Sequence, residues 1–261
     1  LVDNRGGGNT IIGTEIGAKS APDGYTILFV DSALAILPNL YPTLPYDTMR
    51  DFAPVATLTR IPFMLVLHPS LPVSNLQELI AFAKSKPGQL NYASSGSGGQ
   101  GHLAMEVFSI LTGVKMQHVP YKGGGPALTD LLGGQVQLHF NVPINLISPV
   151  KSGRLKAVAI SGESRLAALP QLPTFTEAGL PNFDVSYWQG VVIPAGTPKP
   201  IIDKMSTEIA KILAMPDVRE KLVSQGANPF ISNPEQFAAM IRAETVNYAK
   251  AVKTANIKLD Q

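Results

Sequence analysis

The chain alternates short apolar segments with segments in which apolar residues recur at helical spacing. Residues 25–30 form a continuous apolar run, which predicts a strand covered on both faces, and residues 61–68 and 185–193 are further apolar strands. Helical spacing follows the last of these, beginning with Ile201 and Met205. This alternation predicts an α/β protein with largely parallel sheets.

Local signals predict where some of these elements begin and end. Ser74 followed by Gln77 fits a capping box, with serine as the N-cap residue of a helix that ends near Lys86. The proline-rich stretch 38–54 predicts irregular chain with short helical turns.

The two apolar strands 61–68 and 185–193 bracket a central block, and we interpret them as crossings between two lobes. The first lobe would be discontinuous, comprising residues 1–68 and 189–261. The second would comprise residues 69–188. With 261 residues, the chain is long enough to bury a core in each lobe.

Composition narrows the classes of function. Charged residues make up only 15% of the chain and the mean hydropathy is positive, which favours an ordered protein. The net charge is +2 without a basic cluster, so we expect no nucleic-acid partner. The absence of cysteine excludes thiol chemistry. No apolar run reaches the ~18 residues of a membrane-spanning helix.

A glycine-rich loop between an apolar segment and a helix is the strongest functional signal. Residues 90–93 run into the loop 94–99, and a helical pattern begins at Leu103. This order presents backbone N–H groups and the positive end of a helix dipole to an anion. The pattern recurs at residues 117–125, where Lys122 and three glycines follow a strand. We interpret the loops as two jaws of one anion site, although Lys122 could equally be a solvated surface charge.

Residues 96–101 also match the G-x-G-x-x-G pattern of dinucleotide-binding proteins. That pattern calls for an acidic residue at the end of the next strand, where it binds the ribose, and residues 118–121 contain none. An NAD site and a tight turn used only for packing are therefore alternatives. A cradle for a small carboxylate is the interpretation that we favour.

Further candidate residues lie at strand ends and on nearby aromatic rings. Residues 31–33 form a third loop, and Asn141 ends a strand at the edge where α/β sheets bind ligands. His102 lies in the first turn of its helix and could reach a ligand. Tyr121 and Trp188 offer a flat face and a hydrogen-bond donor, with core packing as an equal alternative. The predicted ligand-binding residues are Asp31, Ser32, Ala33, Ser94, Ser95, Gly96, Ser97, Gly98, Gly99, His102, Tyr121, Lys122, Gly123, Gly124, Asn141 and Trp188.

Enzyme chemistry finds little support in the residues. A serine hydrolase would need a G-x-S-x-G motif, which the chain does not contain. The four histidines lack the spacing of metal ligands, so we expect no metal and no cofactor. We interpret His118 and His139 as structural residues on or beside strands.

Eight short motifs are spread over the whole chain: PDGYT at 22–26, LYxxLPYD at 40–47, DFAPV at 51–55, YASSG at 92–96, HVPYKG at 118–123, DLLGGQV at 130–136, LPxxPTxxEAG at 169–179 and PAGTP at 194–198. Together they resemble the motifs of the Bug family, the extracytoplasmic solute-binding receptors of tripartite tricarboxylate transporters. The motifs are specific to the family and do not identify a ligand.

The resemblance implies an α/β periplasmic binding protein of the type II-like fold, in which each lobe has a mixed sheet flanked by helices. The lobes would close on a small organic carboxylate in the cleft between them. The ligand would be held by backbone N–H groups, hydroxyls and water. The partner would be a membrane permease, the location periplasmic and the receptor a monomer without enzymatic activity.

Two departures from the family accompany the resemblance. Asp31 stands where members have a small Gly-Thr or Gly-Ser pair, and its carboxylate would repel an anion unless it points away. Members also carry a strand, a loop and a helix before the position of Leu1, and we expect this chain to be a trimmed form.

The sequence leaves the ligand open among C4–C6 dicarboxylates, citrate-like acids, amino acids and aromatic acids. An α/β enzyme using the loop 96–101, either a small hydrolase or an NAD-dependent protein, is the alternative function. A receptor that scaffolds or signals without binding is a second.

Overall fold

The computed structural model describes residues 1–181, 183 and 185–255. Within them the chain divides into two compact units. Unit 1 contains Leu1–Arg60, Trp188–Leu222 and residues 228–255, and unit 2 contains Ile61–Tyr187 and Val223–Ala227. The first boundary thus lies between Arg60 and Ile61, rather than after residue 68 as the apolar run suggested.

Strands and helices alternate along most of the described chain. The strands are β1 Leu28–Asp31, β2 Phe52–Pro62, β3 Met64–Leu67, β4 Asn91–Ser94, β5 Gln117–Pro120, β6 Leu138–Asn141, β7 Lys156–Ile160, β8 Ser186–Pro194 and β9 Asn228–Pro229. The α-helices are α1 Ile11–Ala18, α2 Ala33–Ile36, α3 Leu76–Ser85, α4 Gln100–Thr112, α5 Gly124–Leu132, α6 Pro143–Lys151, α7 Lys199–Ala214, α8 Pro216–Ser224 and α9 Pro234–Ala255, and short 3-10 helices cover Gly8–Thr10 and Leu37–Asn39.

Unit 1 contains a four-stranded sheet in the order β1-β8-β2-β9. β1 pairs with β8 in antiparallel fashion, and β2 pairs with β9 in the same way. The prediction of largely parallel sheets is therefore wrong for this unit. A continuous apolar run marks burial and carries no information about the direction of the neighbouring strand.

The first strand differs from its prediction in extent and in cover. It begins only at Leu28, and Ile27 and Phe29 are 55% and 57% exposed while Val30 is 6% exposed. Alternate side chains of a strand point to opposite faces, so only the face that carries Val30 is buried here. An apolar run alone does not distinguish a strand at the end of the sheet from a central one.

The core of unit 1 forms around Trp188, which is fully buried. Its ring meets the ring of Phe237 edge to face, with the centroids 5.3 Å apart, and its Nε1 donates to the carboxylate of Glu244. Gly190 makes this packing possible, because a β-carbon there would collide with Phe237.

Unit 2 contains a five-stranded sheet in the order β5-β4-β6-β3-β7. β4 runs parallel to both β5 and β6, whereas β3 is antiparallel to β6 and β7. On one face, aromatic rings pack against each other, among them Phe108, Phe140 and Phe175. The carboxyl ends of β4, β5 and β6 therefore meet at one edge of this sheet.

Helix α3 begins one residue later than the capping box predicted. Asn75 is the N-cap residue, and its side chain accepts from the backbone N–H of Glu78 at 2.9 Å. The Glu78 carboxylate accepts in turn from the backbone N–H of Ser74 at 2.7 Å. Asn-x-x-Glu and Ser-x-x-Gln overlap in this sequence, and the carboxylate is the stronger acceptor of the two.

Candidate functional site

The loops that follow β4, β5 and β6 come together at one edge of the sheet in unit 2. Ser94 at the end of β4 lies opposite Pro120 at the end of β5, and Ala93 lies opposite His139 of β6. Parallel strands bring their carboxyl ends to the same edge, which is where α/β sheets bind ligands. We call the set formed by residues 94–99, residues 121–125 and Asn141 the loop edge.

Backbone contacts join the three segments of the loop edge. The N–H of Tyr121 donates to the Ser94 carbonyl at 3.1 Å, and the N–H of Gly123 donates to the Ser95 carbonyl at 3.1 Å. A β-carbon at Gly124 would stand 3.4 Å from Nδ2 of Asn141. The two predicted jaws are therefore adjacent and bonded to each other.

Bonds within the loop 94–99 use several of the amides that we expected to be bare. The N–H of Gly96 donates to Oγ of Ser94 at 3.2 Å, and the N–H of Gly99 donates to the Gly96 carbonyl at 3.1 Å. Gly96 and Gly98 have φ values of +144° and +76°, which side chains rarely adopt. Residue types alone do not distinguish amides that shape the loop from amides that face outward.

Helix α4 begins directly after this loop. Gly99 is its N-cap residue, so no side chain caps the amides of the first turn. Those amides have no acceptor within the helix, and the dipole makes this end positive. Gly101 packs against β6, where a β-carbon would stand 3.0 Å from the Phe140 carbonyl oxygen. Helix packing thus accounts for the last glycine of the G-x-G-x-x-G pattern.

His102 lies behind the loop rather than at its surface. Its side chain is buried, and its Nδ1 accepts from the N–H of Gly98 at 2.9 Å. Its Nε2 stands 3.9 Å from Oε1 of Glu106. The expectation that this ring reaches a ligand is therefore corrected, because Nδ1 already has its partner in the loop backbone.

His118 stacks on His102 and also contacts the loop. The two ring planes differ by 8° and their centroids are 3.8 Å apart. Nε2 of His118 lies 2.6 Å from Oγ of Ser94, which is itself fully buried. Tyr92 also contacts the ring of His118, with the centroids 5.0 Å apart, and its hydroxyl donates to Glu106 at 2.6 Å. Burial raises the pKa of this phenol.

His139 fixes the side chain of Asn141 from within the sheet. Its Nδ1–H donates to the Ala93 carbonyl at 2.9 Å, and its Nε2 accepts from Nδ2 of Asn141 at 3.0 Å. Burial lowers the pKa of His139, which keeps the ring neutral and both bonds intact. The Asn141 side chain is thereby held beside Gly124.

Of the two candidate side chains in the second loop, that of Tyr121 is hydrogen-bonded and that of Lys122 is exposed. The Tyr121 hydroxyl donates to Asp130 at 2.8 Å, and burial together with this bond raises the pKa of Tyr121 to about 12. The hydroxyl therefore stays protonated. Lys122 is exposed, and Gly123 is the N-cap residue of α5 with a φ of +111°.

The third predicted loop lies in unit 1 and is closed by its own carboxylate. Oδ1 of Asp31 accepts from the N–H of Ala33, the first residue of α2, at 2.8 Å. Ser32 is fully buried, and its hydroxyl oxygen has no hydrogen-bond partner within the described residues. Tyr46 is also buried in this unit, and burial raises its pKa to about 12. The Asp31 carboxylate thus stabilises the start of a helix.

Trp188 requires a correction, because its ring is 0% exposed and belongs to the core of unit 1. Sequence reasoning conversely passed over Ser161 at the end of β7. Its hydroxyl accepts from the N–H of Phe63 at 2.8 Å, at the same edge as the loops. The position of a hydroxyl directly after a strand was the available signal. No local sequence signal identified His118 and His139 as residues that support these loops.

Two kinds of feature are absent from the described residues. Throughout the part of the chain that the structure covers, no group of three or more His, Asp or Glu side chains is placed to hold a metal ion. None of the helices found there combines the length and the apolar character needed to span a bilayer.

Comparison with known proteins gives a consistent result. The model of the tripartite tricarboxylate transporter family receptor matches residues 1–257. Protein BugT of Bordetella pertussis is 38% identical, over 99% of this chain and 80% of BugT.

Solved structures agree with this match. Rpa4515 of R. palustris with adipate is 34% identical with a TM-score of 0.93, covering 100% of this chain and 87% of that one. MatC from Rhodopseudomonas palustris with bound malate is 32% identical with a TM-score of 0.80, covering 94% and 85%. These likenesses confirm the predicted α/β two-domain fold of periplasmic binding proteins.

Proposed function

Since the chain belongs to the family of tripartite tricarboxylate transporter receptors, we propose that it captures a small organic dicarboxylate at the loop edge of unit 2. Its relatives are solute-binding receptors, so the chain is a receptor and not an enzyme. The hydrolase and NAD alternatives gain no support. The dicarboxylate class is taken from the adipate and malate of two similar structures.

The convergence of three loops at one sheet edge is the observation that carries this proposal. Ser95 is exposed, so its hydroxyl can donate to a carboxylate, and Ser97 is half-buried in the same loop. The nearby start of α4 adds a positive dipole end, an effect of ~0.3–1 kcal/mol. The Asn141 amide has two N–H groups, of which His139 takes one, and the other can serve a ligand.

The internal bonds of the loop argue for a small anion over a dinucleotide. The amides of Gly96, Gly98 and Gly99 are already used within the protein, whereas a pyrophosphate would need a row of outward-facing ones. Residues 118–121 supply no acidic side chain for a ribose. Short contacts from hydroxyls and one helix start suit a carboxylate.

The remaining steps of transport follow from family membership. We infer that the receptor works in the periplasm and delivers its ligand to the permease subunits of a tripartite tricarboxylate transporter. The receptor acts as a monomer. Its contact with the permease is distinct from the capture of the ligand.

Titration calorimetry with adipate and malate tests the proposal, with adipamide as a neutral control of the same length. We expect a dicarboxylate to bind and adipamide not to bind. Replacing Ser95 and Ser97 together by alanine should weaken binding about ten-fold, a loss of about 1.4 kcal/mol. Ser109→Ala, on α4 and away from the loop, is the matched control. Binding of a nucleotide, or equal affinity for adipamide, would overturn the proposal.

A further inference from the structure

The stacked pair of His102, which is buried, and His118, which is half-buried, connects two ring nitrogens to the loop 94–99. His102 takes the N–H of Gly98 on its Nδ1, and His118 bonds through Nε2 to the hydroxyl of Ser94. Both contacts are made from behind the surface that would face a ligand. The rings therefore act on the shape of the loop and not on the ligand.

We infer that His102 and His118 are positioning residues for the binding loop, and that the loop holds its ligand-binding shape only while His102 is neutral. This inference rests on the proposed function for its link to ligand affinity. The dependence of the loop shape on the protonation state of His102 can be tested without any ligand.

The bond between Gly98 and His102 defines the protonation state of the ring. An imidazole nitrogen accepts a hydrogen bond only when it carries no proton, so Nδ1 is bare and the proton of the neutral ring is on Nε2. Adding a proton to Nδ1 would set two N–H donors against each other at 2.9 Å. The bond would then be lost, and the loop would have to move at Gly98.

Ser94 couples the second histidine to the same loop. Its hydroxyl lies within hydrogen-bond distance of both the Gly96 carbonyl, at 3.0 Å, and Nε2 of His118, at 2.6 Å. A hydroxyl has one hydrogen, so it donates to Gly96 when Nε2 of His118 carries a proton and to His118 when that nitrogen is bare. The bond from the Ser94 hydroxyl to the Gly96 carbonyl thus depends on the tautomer and charge of His118.

The neighbours of the pair set how readily it takes up a proton. Glu106 of α4 faces Nε2 of His102 and favours the charged ring. Tyr92 of β4 is neutral and donates to the same carboxylate. Two charged rings at a centroid distance of 3.8 Å would repel, so the pair titrates as a unit and accepts one proton before two.

The consequence is a pH dependence that belongs to the receptor and not to its ligand. A histidine in water titrates near pH ~6.5, whereas a carboxyl group titrates near pH ~4. If only the neutral state binds, the affinity one pH unit below the imidazole pKa falls by about ten-fold, because about one molecule in eleven remains competent. At least one carboxyl group of the ligand stays ionised over that range, and protonation of the second acts equally on the wild type and on a variant without the imidazole.

The first test follows the backbone amide of Gly98 by NMR in the isotope-labelled, ligand-free chain. We expect its resonance to move with the imidazole titration, between about pH 7.5 and pH 5.5. In His102→Asn, Oδ1 of asparagine replaces Nδ1 as acceptor and cannot titrate, so the Gly98 resonance should stay constant. A Gly98 resonance that does not move in the wild type, or that moves equally in both proteins, would overturn the inference.

The second test measures adipate affinity at about pH 8 and about pH 5.5. The wild type should weaken about ten-fold between the two values and His102→Asn by less than about two-fold. His102→Ala should bind weakly at both, because it supplies no acceptor, and His68→Asn should behave as the wild type. If adipate and malate bind at neither pH while the Gly98 amide resonance still moves with pH, the proposed ligand class is wrong and the positioning role of His102 is retained. Equal pH dependence in wild type and His102→Asn would refute the positioning role.

Discussion

The loop 94–99 in unit 2 and the turn 31–33 in unit 1 occupy similar places, each between a strand and a helix. The first is held by two imidazoles, His102 four residues along the chain from Gly98 and His118 on the neighbouring strand β5, which bonds to Ser94. The second is closed by its own first residue, since Asp31 accepts from the N–H of Ala33. One loop depends on imidazoles, one of them from another strand, and the other on a carboxylate within the turn.

This difference bears on how each loop can respond to its surroundings. A turn closed by a local carboxyl oxygen keeps its acceptor whether or not the group is ionised. A loop supported by imidazoles depends on groups that titrate near neutral pH. We therefore expect substitutions behind the loop edge to have larger and more pH-dependent effects than substitutions in the turn of unit 1.

The largest effect should come from His139→Leu, which removes two bonds inside unit 2. We expect the free energy of unfolding to fall by about 2–4 kcal/mol, because the Ala93 carbonyl and the Asn141 amide lose their buried partner. Urea denaturation at neutral pH measures this loss. His68→Asn, at a partly exposed position, should change stability by no more than ~0.5 kcal/mol. If His139→Leu lost no more stability than His68→Asn, the expected difference between the two loops would be contradicted.

His139 also gives unit 2 a pH dependence of defined sign. Burial lowers its pKa in the folded state, so the unfolded chain binds the proton more readily. Its contribution to stability is complete above the unfolded pKa of ~6.5 and is lost as the pH falls from there toward the folded pKa. The slope is at most ~1.4 kcal/mol per pH unit for one group. His139→Leu should have a shallower slope than wild type, and an unchanged slope would assign it to other groups.

The second effect should come from Gly96→Ala, in the loop itself. Gly96 has a φ of +144°, so a side chain there costs about 1–3 kcal/mol or forces the loop to move. We expect affinity for the dicarboxylate to fall at least about ten-fold in calorimetry. Gly113→Ala is the matched control, since Gly113 also has a positive φ of +72° but lies at the far end of α4. Equal loss of affinity in both variants would show that global stability, and not loop shape, controls binding.

The third effect concerns the turn in unit 1. Asp31→Ala removes the acceptor for the Ala33 N–H and should lower the free energy of unfolding by about 1 kcal/mol. Asp31→Asn keeps an acceptor oxygen and should recover most of this loss. Denaturation curves of both variants give the comparison. If Asp31→Asn is as unstable as Asp31→Ala, the charge of Asp31 matters more than its local bond.

The smallest effect should come from Lys122→Gln, because Lys122 is exposed. We expect stability to change by less than ~0.5 kcal/mol and affinity by no more than about three-fold at low salt. Added salt should remove the difference in affinity, since exposed charges are screened. Lys115→Gln, at another exposed position, is the control. A loss above about ten-fold that persists in salt would make Lys122 a direct ligand contact.

The loop edge could be predicted as far as local sequence determines it. The apolar segment before Ser94 and the glycines after it marked a strand, a loop and a helix start. The structure places the loop 94–99 and the second loop side by side. What the sequence could not contain was the strand order β5-β4-β6, which brings His118 and His139 behind these loops. A histidine on a strand has the same local pattern whether it supports a loop or fills space.

Similar limits explain the corrections in unit 1. The amphipathic ring of Trp188 fits a ligand surface and a core equally well, and packing against Phe237 decides in favour of the core. The apolar run ending at Val30 predicted cover on both faces, yet Phe29 is exposed, because only the face of β1 that carries Val30 is packed. Residue type specified burial on one face, and tertiary packing decided the other.

The burial of Trp188 has a spectroscopic consequence. It is the only tryptophan of the chain, and it lies in the core of unit 1, edge to face with Phe237. Its fluorescence therefore reports the folding of unit 1, while the titrating histidines that support the loop edge belong to unit 2. Tryptophan emission and the Gly98 NMR signal, recorded along one urea series, would show whether unit 1 and unit 2 unfold together or one after the other.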